Sequence, residues 1–128
     1  MRLCLYNRAV QRPVLLRIAS IGCLIALASL AWLPAEALTR TRLGGHAEHF
    51  IAYLGTAMVM GLAFQRSPRL AVQSALLIIY AAILEAGQLY SPGRHASFLD
   101  LAFSSGGVVV AGLILWMARS RRMLSWLQ

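Results

Sequence analysis

Glu85, Gln88, Arg94 and Asp100 fall within sixteen positions of one stretch, LLIIYAAILEAGQLYSPGRHASFLDLAFSSGG, whose other residues are mostly Leu, Ile, Ala and Gly. Upstream, His46, Glu48, His49 and Tyr53 open another apolar run. Carboxylate, imidazole, amide and guanidinium groups move protons, hold anions and bond polar headgroups. In lipid an ionised group costs about 2.5–3.5 kcal/mol at mid-membrane and less near the interface, so such residues pair with one another and mark sites. Glu85 and Gln88 are three apart and can face the same neighbour, and His46, His49 and Tyr53 share a face at i, i+3, i+7. Asp100, Ser104, Gly107 and Ala111 form a stripe that is polar at its start and small below, the pattern that lets helix backbones approach. Ala57 and Gly61 are a matching small pair in the preceding run. Arg94, on a connecting turn, has the reach to fold back over Glu85 or Asp100.

The chemistry these groups point to is narrower than their number suggests. His46, His49, Glu85 and Asp100 offer nitrogen and oxygen ligands, but the segment HAEH lacks the HExxH spacing and no cysteine is near, so no metal site is read from the sequence. Ser97, Ser104 and Ser105 lie near His95 and Asp100 without the glycine elbow that would make one of them a nucleophile. No glycine-rich phosphate cradle is present, and no cofactor is expected. Any catalysis would fall to Glu85 or His49 as general acid or base.

The elements that must position these groups follow from composition. Of 128 residues 59% are hydrophobic and 12% charged, too apolar for an ordinary soluble domain. A helix needs about 20 apolar residues to cross the hydrocarbon, and four such stretches account for most of the chain. The expectation is an all-α membrane protein, a single domain over 1–128 forming a four-transmembrane-helix bundle with spans at about 15–33, 49–65, 70–89 and 98–118. Pro34 closes the first span; Ser91-Pro92-Gly93 reads as a turn, since Pro fixes φ and Gly admits a positive one. Ala35-Glu36-Ala37 also resembles a signal-peptidase site, which leaves a cleaved first span as an alternative. Cys4 and Cys23 imply no disulfide framework.

The net charge is +8 and every basic side chain except His is Arg. The arginines sit at the ends of apolar runs, which the positive-inside rule explains without nucleic acid. Nine of them (Arg2, Arg8, Arg12, Arg17, Arg66, Arg69, Arg119, Arg121 and Arg122) fall on one side of the expected topology, against Arg40, Arg42 and Arg94 on the other. That bias places both termini in the cytoplasm of an inner-membrane, multi-pass protein. The unusual polar residues then converge near the outer leaflet. The C-terminal MLSWLQ, with Trp126, is expected in the inner interface.

His49 with Tyr53 (HFIAY), Glu85, Gln88, Pro92-Gly93-Arg94, Ser97, Asp100 and the glycines that follow resemble the VanZ-like family. The family's pattern is similar to a His-x-x-x-Tyr at one helix start, Glu-x-x-Gln, a turn Arg, and an Asp opening the last helix. The resemblance covers about Gly45 to Gly112. The chain departs from the pattern at His46, where a Lys is common, and at Ser104, where an Asn is expected. What the resemblance implies is a small multi-pass membrane protein of the cell envelope, in a family whose founding member is associated with resistance to teicoplanin.

Three functions stay open at this point. The first is binding at the outer leaflet, with Arg94 holding an anionic head group and His49, Tyr53, Glu85, Gln88 and Asp100 bonding around it; the partner would be a membrane lipid or lipid-linked envelope precursor. The second is an enzyme acting on such a lipid through Glu85 or His49. The third is a structural subunit whose polar cluster fixes the fold. The sequence does not set the oligomeric state.

Overall fold

The computed structural model describes residues 2–34, 44–65 and 69–124, with side chains described between 13 and 121 of those ranges. The described chain is α-helical throughout: α1 (Arg2–Trp32), α2 (Gly45–Ala63), α3 (Leu70–Gly87), which tightens into a single 3-10 turn (Gln88–Tyr90), and α4 (Phe98–Leu124). Helix number and order match the sequence expectation. The boundaries differ at three places. The segment expected as an N-terminal tail is helical from Arg2, α2 begins at Gly45 rather than near 49, and α4 runs past 118 to Leu124. Arg, Leu, Gln and Met are good helix formers, so the arginine-rich flanks extend the helices they border. Pro13 is accommodated inside α1. The Ala35-Glu36-Ala37 segment, Ser67 and Pro68 between α2 and α3, and Trp126 lie outside the described residues.

Among the described residues three helices are long and apolar enough to cross a membrane: Pro13–Trp32, Leu70–Tyr90 and Phe98–Arg121. At 1.5 Å per residue each spans about 30 Å or more, the thickness of the hydrocarbon layer. The remaining helix, α2, has 19 residues, but His46, Glu48 and His49 stand among its first five. Those side chains lower its hydropathy while leaving a strongly apolar remainder. The chain is thus a multi-pass membrane protein by length and composition of its helices.

Its surface agrees. Leu15, Ile18, Ile25, Leu76, Ile83, Leu113 and Trp116 are all more than half exposed, while Ser20, Thr56, Gln73, Glu85, Gln88 and Ser104 are buried. A water-soluble fold would reverse both sets, because exposed Leu and Ile cost free energy in water and buried polar groups need partners. Here Ser20 and Thr56 return their hydroxyls to the carbonyls of Leu16 and Ala52, both at 2.8 Å, within their own helices.

The most extensive packing joins α2 to α4; α1 lies against α2, and α3 against α4. The α4 stripe read from the sequence makes the α2–α4 approach close. A Cβ on Gly107 would run into the Phe50 carbonyl oxygen and stand 3.0 Å from the Leu54 nitrogen, so only glycine lets the two backbones touch there. Tyr53, Leu77, Ala81 and Val108 form the core between α2, α3 and α4, and Leu24 and Leu27 of α1 pack against it. Tyr80 fixes α3 to α1 by donating its hydroxyl to the Leu24 carbonyl at 2.8 Å.

Candidate functional site

The C-terminus of α1, the N-terminus of α2, the end of α3 and the start of α4 meet at one end of the bundle. The link from α3 to α4 is built as its sequence predicts. The Arg94 N–H donates to the Ser91 carbonyl at 3.2 Å, with Pro92 and Gly93 between them and Gly93 at φ 71°. This is the type II pattern, with Pro setting the first central φ and Gly supplying the positive one. The turn is docked on α1: the Ser91 hydroxyl donates to the Trp32 carbonyl at 3.4 Å.

Arg94 completes that docking. Its Nη2 donates to the Leu30 carbonyl at 2.6 Å and its Nε to the Leu33 carbonyl at 3.4 Å. The last carbonyls of a helix have no partner inside the helix, and they carry the negative end of its dipole. A guanidinium there satisfies both. The sequence reading offered Glu85 or Asp100 as partners for Arg94; among the described residues it forms no ion pair with either, because α1 ends closer to hand.

Glu85 and Asp100 are arranged instead around the start of α4. The Ser97 hydroxyl accepts the Asp100 N–H at 3.4 Å, and the Ser97 carbonyl accepts the Leu101 N–H at 3.1 Å, which makes Ser97 the N-cap. In a capping box the acid three residues on would reach back to the N-cap N–H. Here Glu85 does that from α3, its Oε1 accepting the Ser97 N–H at 2.5 Å. Asp100 is released from capping, and its Oδ1 accepts a hydrogen bond from His46 Nδ1 at 2.6 Å. The His46 ring stacks on Phe103, centroids 5.2 Å apart. One helical turn deeper, His49 Nδ1 shares a hydrogen bond of 3.2 Å with the hydroxyl of Ser104, which is buried.

These contacts border a cavity of about 140 Å³. Leu27, Leu30 and Ala31 of α1 and Leu84 of α3 give it an apolar side; Glu48, His49, Tyr53, Glu85, Gln88 and Arg94 give it a polar one. Five of the six residues singled out as ligand-binding therefore line one space: His49, Tyr53, Glu85, Gln88 and Arg94. The sixth, Asp100, is not in the lining, but a carboxylate oxygen of Asp100, one of Glu85 and a ring nitrogen of His49 all lie within 4.8 Å of one another. Glu85 is only 7% exposed and Gln88 only 3%. Burying a carboxylate carries a penalty of several kcal/mol unless charge and hydrogen bonds compensate it. Among the described residues no arginine forms an ion pair with Glu85.

The sequence reading missed the α1 wall and did not place Glu48 in the site. Apolar residues of a first span carry no signal that distinguishes a cavity wall from a lipid-facing surface. The unsatisfied carbonyls at the end of α1 were a usable signal for where Arg94 goes, since every helix terminus offers them. No known protein family, curated protein or solved structure matches the chain.

Proposed function

We propose that the protein binds the polar head of a membrane lipid or lipid-linked envelope molecule in this cavity, at the outer leaflet of the cytoplasmic membrane. The carrying observation is the cavity itself, apolar along α1 and bearing carboxylate, imidazole, phenol, amide and guanidinium groups from α2, the end of α3 and the turn that follows. A head group with its first chain carbons presents the same two kinds of surface, and pockets of this kind use a few placed polar groups for orientation. In this reading α2 crosses the bilayer with the other three helices, both termini are cytoplasmic by the arginine bias, and α1 stays in the mature protein because it forms a cavity wall. The VanZ-like resemblance and its link to glycopeptide resistance fit a site of this kind and belong to the same proposal.

The geometry shifts the roles within it. Arg94 is committed to α1, so it supports the wall and offers only its remaining N–H groups to a ligand. Glu85, Gln88 and Tyr53 are the groups that face a guest, suited to hydroxyls, amines or a bound cation. A second reading, acid–base catalysis on the same lipid, rests on Glu85 and His49 opening onto one space.

Native mass spectrometry of the protein released from nanodiscs of native lipid tests binding. Wild type should carry an enriched lipid species that is lost in Ala52→Phe, which fills the cavity from α2, and weakened in Gln88→Leu. Identical lipid profiles for three equally helical proteins would sink the reading. Turnover of the enriched lipid, lost in Glu85→Gln, would convert binding into catalysis.

A further inference from the structure

We infer that His49, Glu85 and Asp100 hold a divalent transition-metal ion whose open positions face the cavity. The inference rests on the headgroup reading only for what the ion binds next. Three observations carry it. The first is convergence: one ring nitrogen and two carboxylate oxygens from three different helices lie within 4.8 Å of one another. Ligand atoms around one tetrahedral ion stand about 3.4 Å apart, so adjustments of an ångström or less close the set.

The second observation is that each candidate ligand is hydrogen-bonded through one of its two donor atoms, while the other takes no hydrogen bond among the described residues. His49 Nδ1 meets the Ser104 hydroxyl, which leaves Nε2 to bond an ion. Glu85 Oε1 takes the Ser97 N–H, and Asp100 Oδ1 takes His46, leaving Oε2 and Oδ2. Metal-binding imidazoles and carboxylates are oriented in this way, by hydrogen bonds on the atom that does not bind the metal. His46 is a positioning residue here, fixing Asp100.

The third observation is the burial of one of the three. Glu85 is a carboxylate more than nine-tenths buried, it lines the cavity, and Arg94, the nearest candidate counter-charge in sequence, is spent on the α1 carbonyls. An ion on Oε2 supplies a positive charge that no arginine among the described residues brings to Glu85. One imidazole and two carboxylates suit Mn²⁺ or Zn²⁺ better than Ca²⁺ or Mg²⁺, which take oxygen ligands. Three protein ligands leave positions for an exogenous group. In a cavity bearing carboxylates, a phosphate oxygen binds through the cation: the ion turns an acidic pocket into an anion site. The shared chemistry is a phosphate group, carried by a lipid head or present as free phosphate.

The test uses full-length protein purified in detergent through a non-histidine tag, then stripped with a chelator. Zn²⁺ or Mn²⁺ alone is titrated back, with elemental analysis after desalting. Wild type and His95→Ala should retain one ion per chain. Glu85→Gln, Asp100→Asn and His49→Ala should bind more than about 10-fold more weakly, and His46→Ala about 10-fold more weakly through loss of orientation. Circular dichroism checks that each variant is folded. Should a variant fail to fold, electron spin-echo modulation of Mn²⁺ on wild type reports the coupling of a single imidazole nitrogen. Failure of wild type to retain an ion, absence of nitrogen coupling, or wild-type affinity in the three folded ligand variants overturns the proposal.

A second arm uses nanodiscs containing phosphatidylglycerol, with and without chelator. Lipid lost on chelation and restored by the ion shows that the metal holds the phosphate. Displacement of that lipid by inorganic phosphate assigns free phosphate as the ligand; resistance to displacement assigns the lipid head. An ion that binds while no lipid is ever enriched leaves the metal site standing and breaks the headgroup reading instead.

Discussion

The two ends of the bundle solve the same problem in opposite ways. At each, helix termini leave backbone groups without partners, and arginine supplies donors. At the end formed by the α2 C-terminus and the α3 N-terminus, Arg119 donates to the Gly61 carbonyl at 2.7 Å and Gln73 to the Phe64 carbonyl at 2.8 Å. Arg17 lies over the Phe64 ring, 5.5 Å from its centroid. The void toward that end is about 10 Å³, barely room for one water. The opposite end also uses an arginine, Arg94, on the α1 carbonyls, but keeps Glu48, His49, Glu85 and Gln88 in the lining of a cavity of about 140 Å³, with Asp100 close to His49 and Glu85. One end consumes its polar groups in closing helix termini; the other has more than closure requires. What separates the two ends is the buried Glu85 carboxylate beside a cavity, with no ion pair to a described arginine, more than the presence of polar residues in an apolar chain.

That contrast can be broken at several points. The largest effect is expected where the α2–α4 approach sets the geometry of the site end: Gly107→Val should cost about 3 kcal/mol or more, because the added carbons meet the Phe50 backbone, which cannot move aside. Loss of the folded protein in a thermal melt in detergent is the readout. Arg94→Met should come next, at about 1.5–3 kcal/mol for lost charge-assisted bonds to the α1 carbonyls, with Arg119→Met costing a similar or smaller amount at the other end. If Arg94→Met abolished ligand binding with no change in melting temperature, its assignment to closure would be wrong.

Glu85 separates closure from surplus within one residue. Glu85→Ala orphans the Ser97 N–H and should destabilise by about 1–3 kcal/mol, whereas Glu85→Gln keeps an acceptor and removes the buried charge, so stability should hold or rise while ligand affinity falls. Equal destabilisation by both variants would make Glu85 purely structural. The smallest effect belongs to His46→Gln. With the His46 side chain half exposed, its bond to Asp100 should be worth less than about 1 kcal/mol in the same melts.

Much of this was legible in the residues. Apolar runs of about 20 gave the helix count and order, since helices must satisfy their own backbone in lipid. Pro92-Gly93 gave the turn. The spacing of His46, His49 and Tyr53, and of Glu85 and Gln88, grouped them on shared faces. The Asp100-Ser104-Gly107-Ala111 stripe gave the close face of α4. Helix boundaries were less legible, because arginine-rich flanks read as tails although arginine continues a helix well.

The pairing within the site was not legible at all. Several partners lay within reach of Arg94, and which one it takes depends on where α1 ends relative to the turn. Asp100, three residues after Ser97, has capping-box spacing, yet Glu85 takes that duty because α3 delivers a carboxylate to the Ser97 N–H. The sequence by itself determined that this chain has four helices, that most of its surface is apolar, and that its acids gather at one end, since those follow from local period and composition. Tertiary structure alone decided which polar groups cancel and which remain, because hydrogen bonds between helices depend on distances of a few ångströms that no spacing along the chain encodes.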